Sequence, residues 1–366
     1  MSHALVLAAL IAFAAAGQAR AQPRGAAQER PPDSSRPFPH IALPDGTFHS
    51  WCGRDGAFLT HKGDGERRQY RLYARDGTEQ AAIVPKPETR TSELQCDEKA
   101  ENLILSNDTM DSVSVSVINL KTQAETVLLQ APAKHVLRPM MASPDARYIA
   151  YRADRIDTVD ATVAADIGLI AVSGDAIRWS SDSSMVLSVI GSPHTAKTTR
   201  ADYVISIEII YAQTGETISG TLPHGYLLQD LFRNAFFING GAELLLLLSH
   251  FDTDEPGGTI FRCRVRGFQC RPVVPVGSGY AMNEAGDIAV SKTLARKQGK
   301  RKVIQLIRST GRTIDVADYS PDSFPGAILS PTGNLLGVRS AVGALCQTRS
   351  GPCSAGALFD VSAKDR

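Results

Sequence analysis

The sequence lacks the motifs that mark the common hydrolytic, nucleotide-binding and metal-binding sites. It contains no G-x-S-x-G nucleophile elbow, no G-x-x-x-x-G-K-[ST] phosphate loop, no H-E-x-x-H zinc motif and no EF-hand loop. Its six cysteines form no C-x-x-C pair, and no histidine spacing beside them resembles a zinc site. Helical periodicity is also scarce. These absences remove the usual sequence signatures of serine hydrolases, P-loop enzymes and zinc proteins.

An excess of charge of either sign is missing as well. The 39 basic and 38 acidic residues nearly balance. Residues 1–21 hold one basic residue and no acid, so their removal leaves 38 of each. Nucleic-acid and membrane-surface binders generally carry a basic excess. The composition therefore predicts no nucleic-acid partner.

The N-terminus predicts a signal peptide over residues 1–21. An apolar run extends from Ala4 to Ala16, and the A-R-A sequence that ends at Ala21 supplies the small residues of a cleavage site. A membrane anchor is the competing interpretation, but these 13 residues are few against the roughly 20 that span a bilayer. We therefore expect a periplasmic or secreted protein with no transmembrane segment after cleavage.

Export makes the cysteines informative, because cysteines generally pair in an oxidising compartment. Positions 263 and 270 would lie opposite each other in a hairpin that turns at 266–267, within reach of a disulfide. Free buried thiols are the alternative. The predicted disulfides are Cys52–Cys96, Cys263–Cys270 and Cys346–Cys353.

Two short patterns alternate along the chain. The first is a small polar turn before an apolar strand, as in ASPDARYIAY at 142–151, and it occurs seven times at intervals of 37 to 59 residues. These intervals scatter around the roughly 40–50 residues of a propeller blade. The second is a strand that ends in a polar turn, as in VIQLIRSTGR at 303–312, and one copy follows each first pattern. The alternation predicts an all-β, seven-bladed β-propeller of four-stranded antiparallel blades.

These repeats resemble those of the TolB-like and WD-repeat-like exported β-propellers, in which Ser-Pro-Asp-Gly precedes a strand. Ser143-Pro144-Asp145 and Ser330-Pro331-Thr332-Gly333 match best, and the other five copies are degenerate. The Gly-His and Trp-Asp signatures of WD repeats are absent. The resemblance covers roughly residues 41–366 and implies a single propeller domain there, with no catalytic residue carried over.

The two ends of the chain predict how the ring closes. The seventh unit ends at ALFDVSAKDR, one strand short of four, and FPHIAL at 38–43 can supply the missing strand. Such closure removes exposed strand edges. Residues 22–40, rich in Pro, Arg and Ser, predict a flexible leader between the signal and the propeller. The third unit fits worst, and its outer strand is either missing or drawn from 156–163.

Five long connections between second and third strands are expected to emerge on one face of the disc. Binding groups concentrate on loops held by a rigid scaffold, so this face is the predicted contact surface for a ligand or partner. The five connections are 152–166, 191–202, 249–258, 292–302 and 340–356.

These connections supply acidic, histidine and basic candidates. The acids Asp252, Asp254 and Glu255 can bind an oxygen-ligated cation such as calcium, but the spacing of a calcium loop is missing and solvated acids are the alternative. The run from Lys292 to Lys302 can dock an anionic partner, with a solvated hairpin tip as the alternative. It lacks interleaved aromatic residues, which disfavours single-stranded nucleic acid. The candidate binding residues are Asp154, Asp157, Asp160, His194, His250, Asp252, Asp254, Arg296, Lys297, Lys300, Arg301 and Lys302.

The sequence favours a non-catalytic binding or scaffold protein without a cofactor, whose partner is another envelope protein or a small ligand. Two other functions stay open. One is an enzyme with an active site on the propeller face, of the lactonase or lyase kind, where acids and histidines converge with a metal. The other is a detached propeller partner of a prolyl-oligopeptidase-like peptidase, since the chain carries no hydrolase motif.

Overall fold

A computed structural model describes most of the chain after residue 39. Contacts between Cα atoms divide the chain into two units, Met1–Arg36 and Pro37–Arg366, and every described residue belongs to the second. No helix in the described ranges is long and apolar enough to cross a membrane. These ranges are 40–42, 47–54, 56–62, 69–83, 90–109, 111–132, 140–152, 161–174, 176–190, 205–223, 226–228, 234–250, 258–277, 279–296, 299–318, 326–339, 347–348, 351–352 and 357–362.

Short strands form nearly all of the regular structure. The first strands are β1 (His40–Ala42), β2 (Thr47–Cys52), β3 (Ala57–Lys62), β4 (Gln69–Tyr73), β5 (Glu79–Ile83), β6 (Arg90–Cys96), β7 (Asn102–Asp108), β8 (Ser112–Asn119) and β9 (Glu125–Pro132). The middle strands are β10 (Met140–Ala142), β11 (Tyr148–Arg152), β12 (Thr162–Val163), β13 (Gly168–Val172), β14 (Ala176–Trp179), β15 (Met185–Ile190), β16 (Ser206–Tyr211), β17 (Thr217–Thr221), β18 (Tyr226–Leu227), β19 (Ala235–Ile238), β20 (Glu243–His250), β21 (Gly258–Arg264) and β22 (Gln269–Val276). The last strands are β23 (Tyr280–Met282), β24 (Ile288–Arg296), β25 (Gly299–Ile307), β26 (Thr313–Asp318), β27 (Gly326–Leu329), β28 (Leu335–Arg339), β29 (Gln347–Thr348), β30 (Gly351–Pro352) and β31 (Ala357–Asp360).

Apart from the two-stranded hairpin of β29 and β30, the described strands build seven sheets, which are the blades of a seven-bladed β-propeller. Blade 1 is β2-β3-β4-β5, blade 4 is β14-β15-β16-β17 and blade 6 is β23-β24-β25-β26. In blade 5 the short strands β18 and β19 share the inner position, and both pair with β20 before β21 and β22. Blade 2 contains β6 to β9, blade 3 begins with β10, and blade 7 begins with β27. The predicted all-β propeller is confirmed.

The Ser-Pro-Asp phrase forms the turn between the first two strands of a blade. Ser143 Oγ accepts a hydrogen bond from the Tyr148 N–H at 3.0 Å and donates one to Asp145. Ser180 and Ser330 accept the same bond from the N–H five residues later, at 2.9 and 3.0 Å. A small hydroxyl side chain thus satisfies a buried N–H that the sheet cannot. This local requirement explains why the phrase recurs along the chain.

The hydrophobic core lies between the blades, in seven clusters that each join two neighbours around the ring. The five consecutive leucines of β20 show why. Leu244, Leu246 and Leu248 pack against blade 4. Leu245 and Leu247 belong to the cluster that includes blade 6. Because successive side chains of a strand alternate between its faces, a strand buried on both faces needs an unbroken apolar run.

An N-terminal strand closes the ring, as predicted. β1 pairs antiparallel with β31, with Ile41 opposite Leu358, and so completes blade 7 in the order β27-β28-β31-β1. A cluster of Phe48 and Phe58 with Leu358 then packs blade 1 against blade 7. Chain ends that pair within one blade hold the first and last repeats together.

The third blade departs from the regular pattern. Its described strands are β10, β11 and β13, and β11 pairs with β13 in parallel, with Tyr148 opposite Gly168. The two residues of β12 lie within the segment proposed for its outer strand, but they pair with β9 on blade 2 instead. The chain therefore crosses to the neighbouring blade before it returns, which reverses the usual strand direction.

Two of the three predicted disulfides are confirmed. Cys52–Cys96 joins the inner strands of blades 1 and 2, with Cα atoms 5.0 Å apart. Cys263–Cys270 crosses the hairpin of β21 and β22, where the two residues lie directly opposite. The third predicted pair, Cys346–Cys353, lies outside the described residues.

Candidate functional site

The propeller has two ends, which differ in their connections. At the long-loop end, the second strand of each blade connects to the third. At the turn end, short turns join the first strand to the second and the third to the fourth, as at 180–184 and 265–268. The predicted contact face is the long-loop end.

Many of the predicted site residues lie outside the described residues, and they stay predictions. This set contains Asp154, Asp157, Asp160, His194, Asp252, Asp254 and Lys297, together with Glu255 of the calcium hypothesis. His250 is the last residue of β20, opposite Tyr226. Within the described ranges, no group of three His, Cys, Asp or Glu residues could hold a metal ion.

The remaining basic candidates lie on an extension of blade 6. β24 and β25 pair along their whole length, from Ile288 opposite Ile307 to Arg296 opposite Gly299. The inner strand β23 reaches only as far as Val290 along β24, and β26 reaches only Val303 along β25. Beyond that point the two strands pair with each other alone among the described strands. We call residues 292–296 and 299–302 the basic ribbon.

The basic ribbon carries a high density of positive charge at the long-loop end. Lys292, Arg296, Lys300, Arg301 and Lys302 lie on its two strands, and residues 288–307 contain no acid. The Lys292 side chain is exposed. The sequence predicts a loop over 292–302, but the backbone of the basic ribbon continues as paired strands. The backbone of paired strands has fewer conformations than that of a flexible tip.

A cluster of histidine and tyrosine lies at the same end of blade 1. His61 stands opposite Thr47 on β2 and Tyr70 on β4, next to the end of β3. The His49 ring meets the His61 ring edge to face at 5.7 Å and the Tyr70 ring at 5.3 Å. The chain irregularity between Phe48 and Ser50 accommodates His49. These contacts pack the two imidazole rings and the phenol ring together at the edge of blade 1.

The turn end contains a crevice of about 570 Å³ between blades 4 and 5. Met185 and Tyr211 line it from blade 4, and Glu243, Arg264 and Arg266 from blade 5. Its volume falls within the range of small-molecule sites, roughly 300–1,000 Å³. Sequence reasoning placed no site at this end. The alternation of arginine with apolar residues in RCRVR at 262–266 was the available signal.

A buried ion pair lies at the turn end of blades 6 and 7. Arg308 and Asp287 are 8% and 4% exposed, and Arg308 Nη1 donates to Asp287 Oδ2 at 2.9 Å. Arg308 also donates to the carbonyls of Gly333 at 2.7 Å and Val361 at 3.0 Å. Gly333 has φ +72°, and a Cβ there would overlap Asp287. The pair fastens blade 6 to blade 7, so its role is structural.

Several solved structures are similar to this chain. A β-propeller domain from Myceliophteria thermophila has a TM-score of 0.48 at 12% identity, covering 88% of this chain and 100% of that one. Kuenenia stuttgartiensis hydrazine synthase has a TM-score of 0.46 at 13% identity, covering 84% and 97%. Oligogalacturonate lyase from Vibrio parahaemolyticus has a TM-score of 0.44 at 12% identity, covering 90% and 93%. No protein-family model and no curated protein matches the sequence. The class of protein, a seven-bladed β-propeller, rests on the strand pairing described above.

Proposed function

We propose that this protein is an exported, non-catalytic binding propeller that contacts an acidic partner protein of the cell envelope through its long-loop end. The observation that supports this function is the basic ribbon. It places five basic residues on paired strands beyond the blade, in a segment without acids. A protein with no overall charge excess gains a local positive field in this way.

Charge on a projecting element mainly directs encounter and orientation. Opposite potentials on two partners raise the association rate, and salt screens the attraction beyond about 10 Å at 0.1 M. The expected interaction is therefore salt-sensitive. It leaves the turn end of the propeller free for other contacts.

The test is recovery of partners from an envelope extract by two variants that change the same charge. In the ribbon variant, Arg296, Lys300, Arg301 and Lys302 become Ser. In the control variant, four exposed basic residues of the turn end become Ser, namely Lys99, Lys121, Arg147 and Arg312. We expect the ribbon variant alone to lose the partner, and salt to remove it from the parent protein.

The outcome also separates the two other functions. Equal recovery by both variants would contradict the ribbon as the contact site. A recovered peptidase that becomes active only with this chain would favour the peptidase-partner alternative. Turnover of a sugar-acid or lactone substrate by the purified protein would favour the enzyme.

A further inference from the structure

Among the described strands, blade 3 is narrower than the blades on either side of it. It has the three strands β10, β11 and β13, whereas blade 4 has four, and blade 2 has four with β12 outside them. With the inner strands aligned around the ring and neighbouring strands about 4.8 Å apart, the edge of β13 lies about 5 Å inside the outer edge of blade 4 and about 10 Å inside β12. The perimeter of the propeller therefore has a recess at blade 3.

The outer side of β13 leaves backbone groups without a partner. The Gly168 N–H donates to the Arg147 carbonyl at 2.9 Å, toward β11. The N–H and C=O of successive residues in a strand point alternately to its two sides, so those of Leu169 and Ala171 point away from β11. Within the described part of the chain, these groups of Leu169 and Ala171 make no hydrogen bond.

β13 also lacks the features that protect strand edges in the other blades. Exposed edges normally carry charge, proline or an irregularity, which oppose unwanted pairing. The outer strands β5, β22 and β26 each carry a charged residue and a register shift against the third strand. β13 reads GLIAV, without charge or proline, and its register against β11 is regular. Its edge is therefore suited to pairing with a further strand.

Apolar side chains lie on both faces of this edge. Ile170 and Val172 belong to the cluster between blades 3 and 4, and a strand added beside β13 would extend that cluster. On the other face, Leu169 is 38% exposed and Ala171 is exposed too. An added strand with apolar residues at alternate positions would bury them beside Ile170, which is half-buried.

We propose that an extended segment of a partner protein pairs with β13 and forms the fourth strand of blade 3. Its backbone bonds to Leu169 and Ala171, and its alternate apolar side chains pack toward blade 4. Addition of a strand to a free sheet edge is a general mode of peptide recognition. The edge lies on blade 3 and the basic ribbon on blade 6, so either proposal can fail without the other.

The recess favours a single extended chain from another protein over other occupants. β13 of a second copy would be recessed to the same depth, so the flanking blades of the two copies would meet before the edges could pair. The leader at 22–40 is rich in proline, which has no N–H to donate. An extended peptide is one strand wide and needs no change in the neighbouring blades.

Hydrogen exchange tests whether the edge is free. In the purified protein, the amides of Leu169 and Ala171 should exchange fast, whereas the amide of Ile170, which points to β11, should exchange slowly. Slow exchange at Leu169 and Ala171 without any partner would mean that this chain itself covers the edge, and would overturn the proposal.

The binding probe is a neutral, capped peptide of alternating residues, Thr-Val-Thr-Val-Thr-Val-Thr, with a fluorescent label. Anisotropy of the label should show saturable binding with a dissociation constant of about 1 mM or lower. Exchange at Leu169 and Ala171 should slow in the complex, because their N–H groups are then bonded.

Two isomeric peptides separate backbone pairing from apolar attraction. The first carries methyl groups on two adjacent central nitrogens, which interrupts both edges of the added strand. The second carries the same two carbons on side chains, with isoleucine in place of two valines. The first should bind at least about tenfold more weakly than the probe, whereas the second should bind at least as well.

Two proline variants locate the binding on the protein. Ala171→Pro removes an outward N–H and leaves the bonds to β11, because an edge strand tolerates proline where the N–H faces outward. It should weaken the peptide at least about tenfold. The control is Ser219→Pro on β17, the outer strand of blade 4. The Leu222 N–H donates inward to the Ile205 carbonyl, which places the Ser219 N–H outward. This control and the ribbon variant should bind as the parent does.

The absence of saturable binding by the parent up to about 1 mM would overturn the proposal. Equal binding of the two isomeric peptides would do the same, since strand pairing requires free N–H groups. Equal affinity of Ala171→Pro and Ser219→Pro for the peptide would place the binding elsewhere than on β13.

Discussion

The ion pair of Arg308 and Asp287 should contribute strongly to the stability of the closed ring. Arg308→Met removes the guanidinium and leaves the Asp287 carboxylate at 4% exposure with its partner gone. It also removes the donors that reach the Gly333 and Val361 carbonyls. Breaking a buried pair by loss of one partner costs about 3–5 kcal/mol, because an uncompensated charge stays buried.

Removal of both charges should cost less than the sum of the two single changes. In Arg308→Met with Asp287→Leu, no buried charge remains, and the residual loss comes from the unpaired carbonyls, about 1–3 kcal/mol each. The matched control is the exposed pair Arg147–Asp145, 3.9 Å apart with the Arg147 side chain 78% exposed. Arg147→Met should cost about 0–1 kcal/mol.

Urea unfolding of five proteins, the parent, Arg308→Met, Asp287→Leu, the double variant and Arg147→Met, measures these differences as shifts in midpoint at constant slope. The buried pair should also respond little to salt, whereas the exposed pair should weaken. A loss below about 1 kcal/mol for Arg308→Met, or a loss equal to that of Arg147→Met, would refute the reasoning, since both results would place the buried pair in the class of surface pairs.

Three further predictions concern acid stability, closure and covalent structure. The hydrogen bond from Arg262 lowers the pKa of Glu243 in the folded state. Glu243→Gln should therefore lower the unfolding free energy above about pH 4.5, and this difference from the parent should disappear as the pH falls below that value. Unfolding free energies of both proteins at pH 7 and pH 3 measure the difference, and a difference independent of pH would contradict the prediction. Deletion of residues 22–36, which leaves a chain starting at residue 37, should change the melting temperature very little. Further deletion of residues 38–43 removes β1 and should lower the melting temperature by several degrees. Equal melting temperatures for the two truncated proteins would mean that the ring closes in another way. Non-reducing peptide mapping should find Cys346 joined to Cys353, because the hairpin of β29 and β30 lies between them; free thiols at both positions would exclude that bond.

The sequence predicted the features that depend on local patterns. Turn residues and alternating apolar strands repeat in every blade, so the blade number and the strand order followed from counting. The unbroken run of leucines in β20 is the pattern of a strand buried on both faces, and both neighbouring clusters contain its side chains. The cross-strand position of Cys263 and Cys270 followed from hairpin symmetry alone.

Features that depend on contacts between distant segments were not predictable in this way. The two residues of β12 pair with Leu129 and Gln130 on another blade, and no local pattern specifies that choice. His49 sits at a chain irregularity, so strand alternation misplaces its contacts with His61 and Tyr70. Arg262 stands opposite Arg271 only because β21 and β22 pair in one particular register.

The basic ribbon shows a third limit of local patterns. Lys and Arg occur both in strands and in exposed turns, so a run of them does not distinguish the two. The segment after Lys292 was therefore expected to be a loop. The register of β24 against β25 determines that the segment is paired. The proposed function depends on this difference, because the backbone of paired strands is more defined than that of a flexible tip.

Site-specific photo-crosslinking tests the central claim most directly. A photoreactive phenylalanine replaces Lys300 on the basic ribbon in one protein and Lys121 at the turn end in the other, so each loses one positive charge. Irradiation in an envelope extract should attach a protein partner at position 300, and about 0.5 M salt should reduce that product by screening the attraction. No product should form at position 121. A salt-insensitive product at position 121 with none at position 300 would contradict the account.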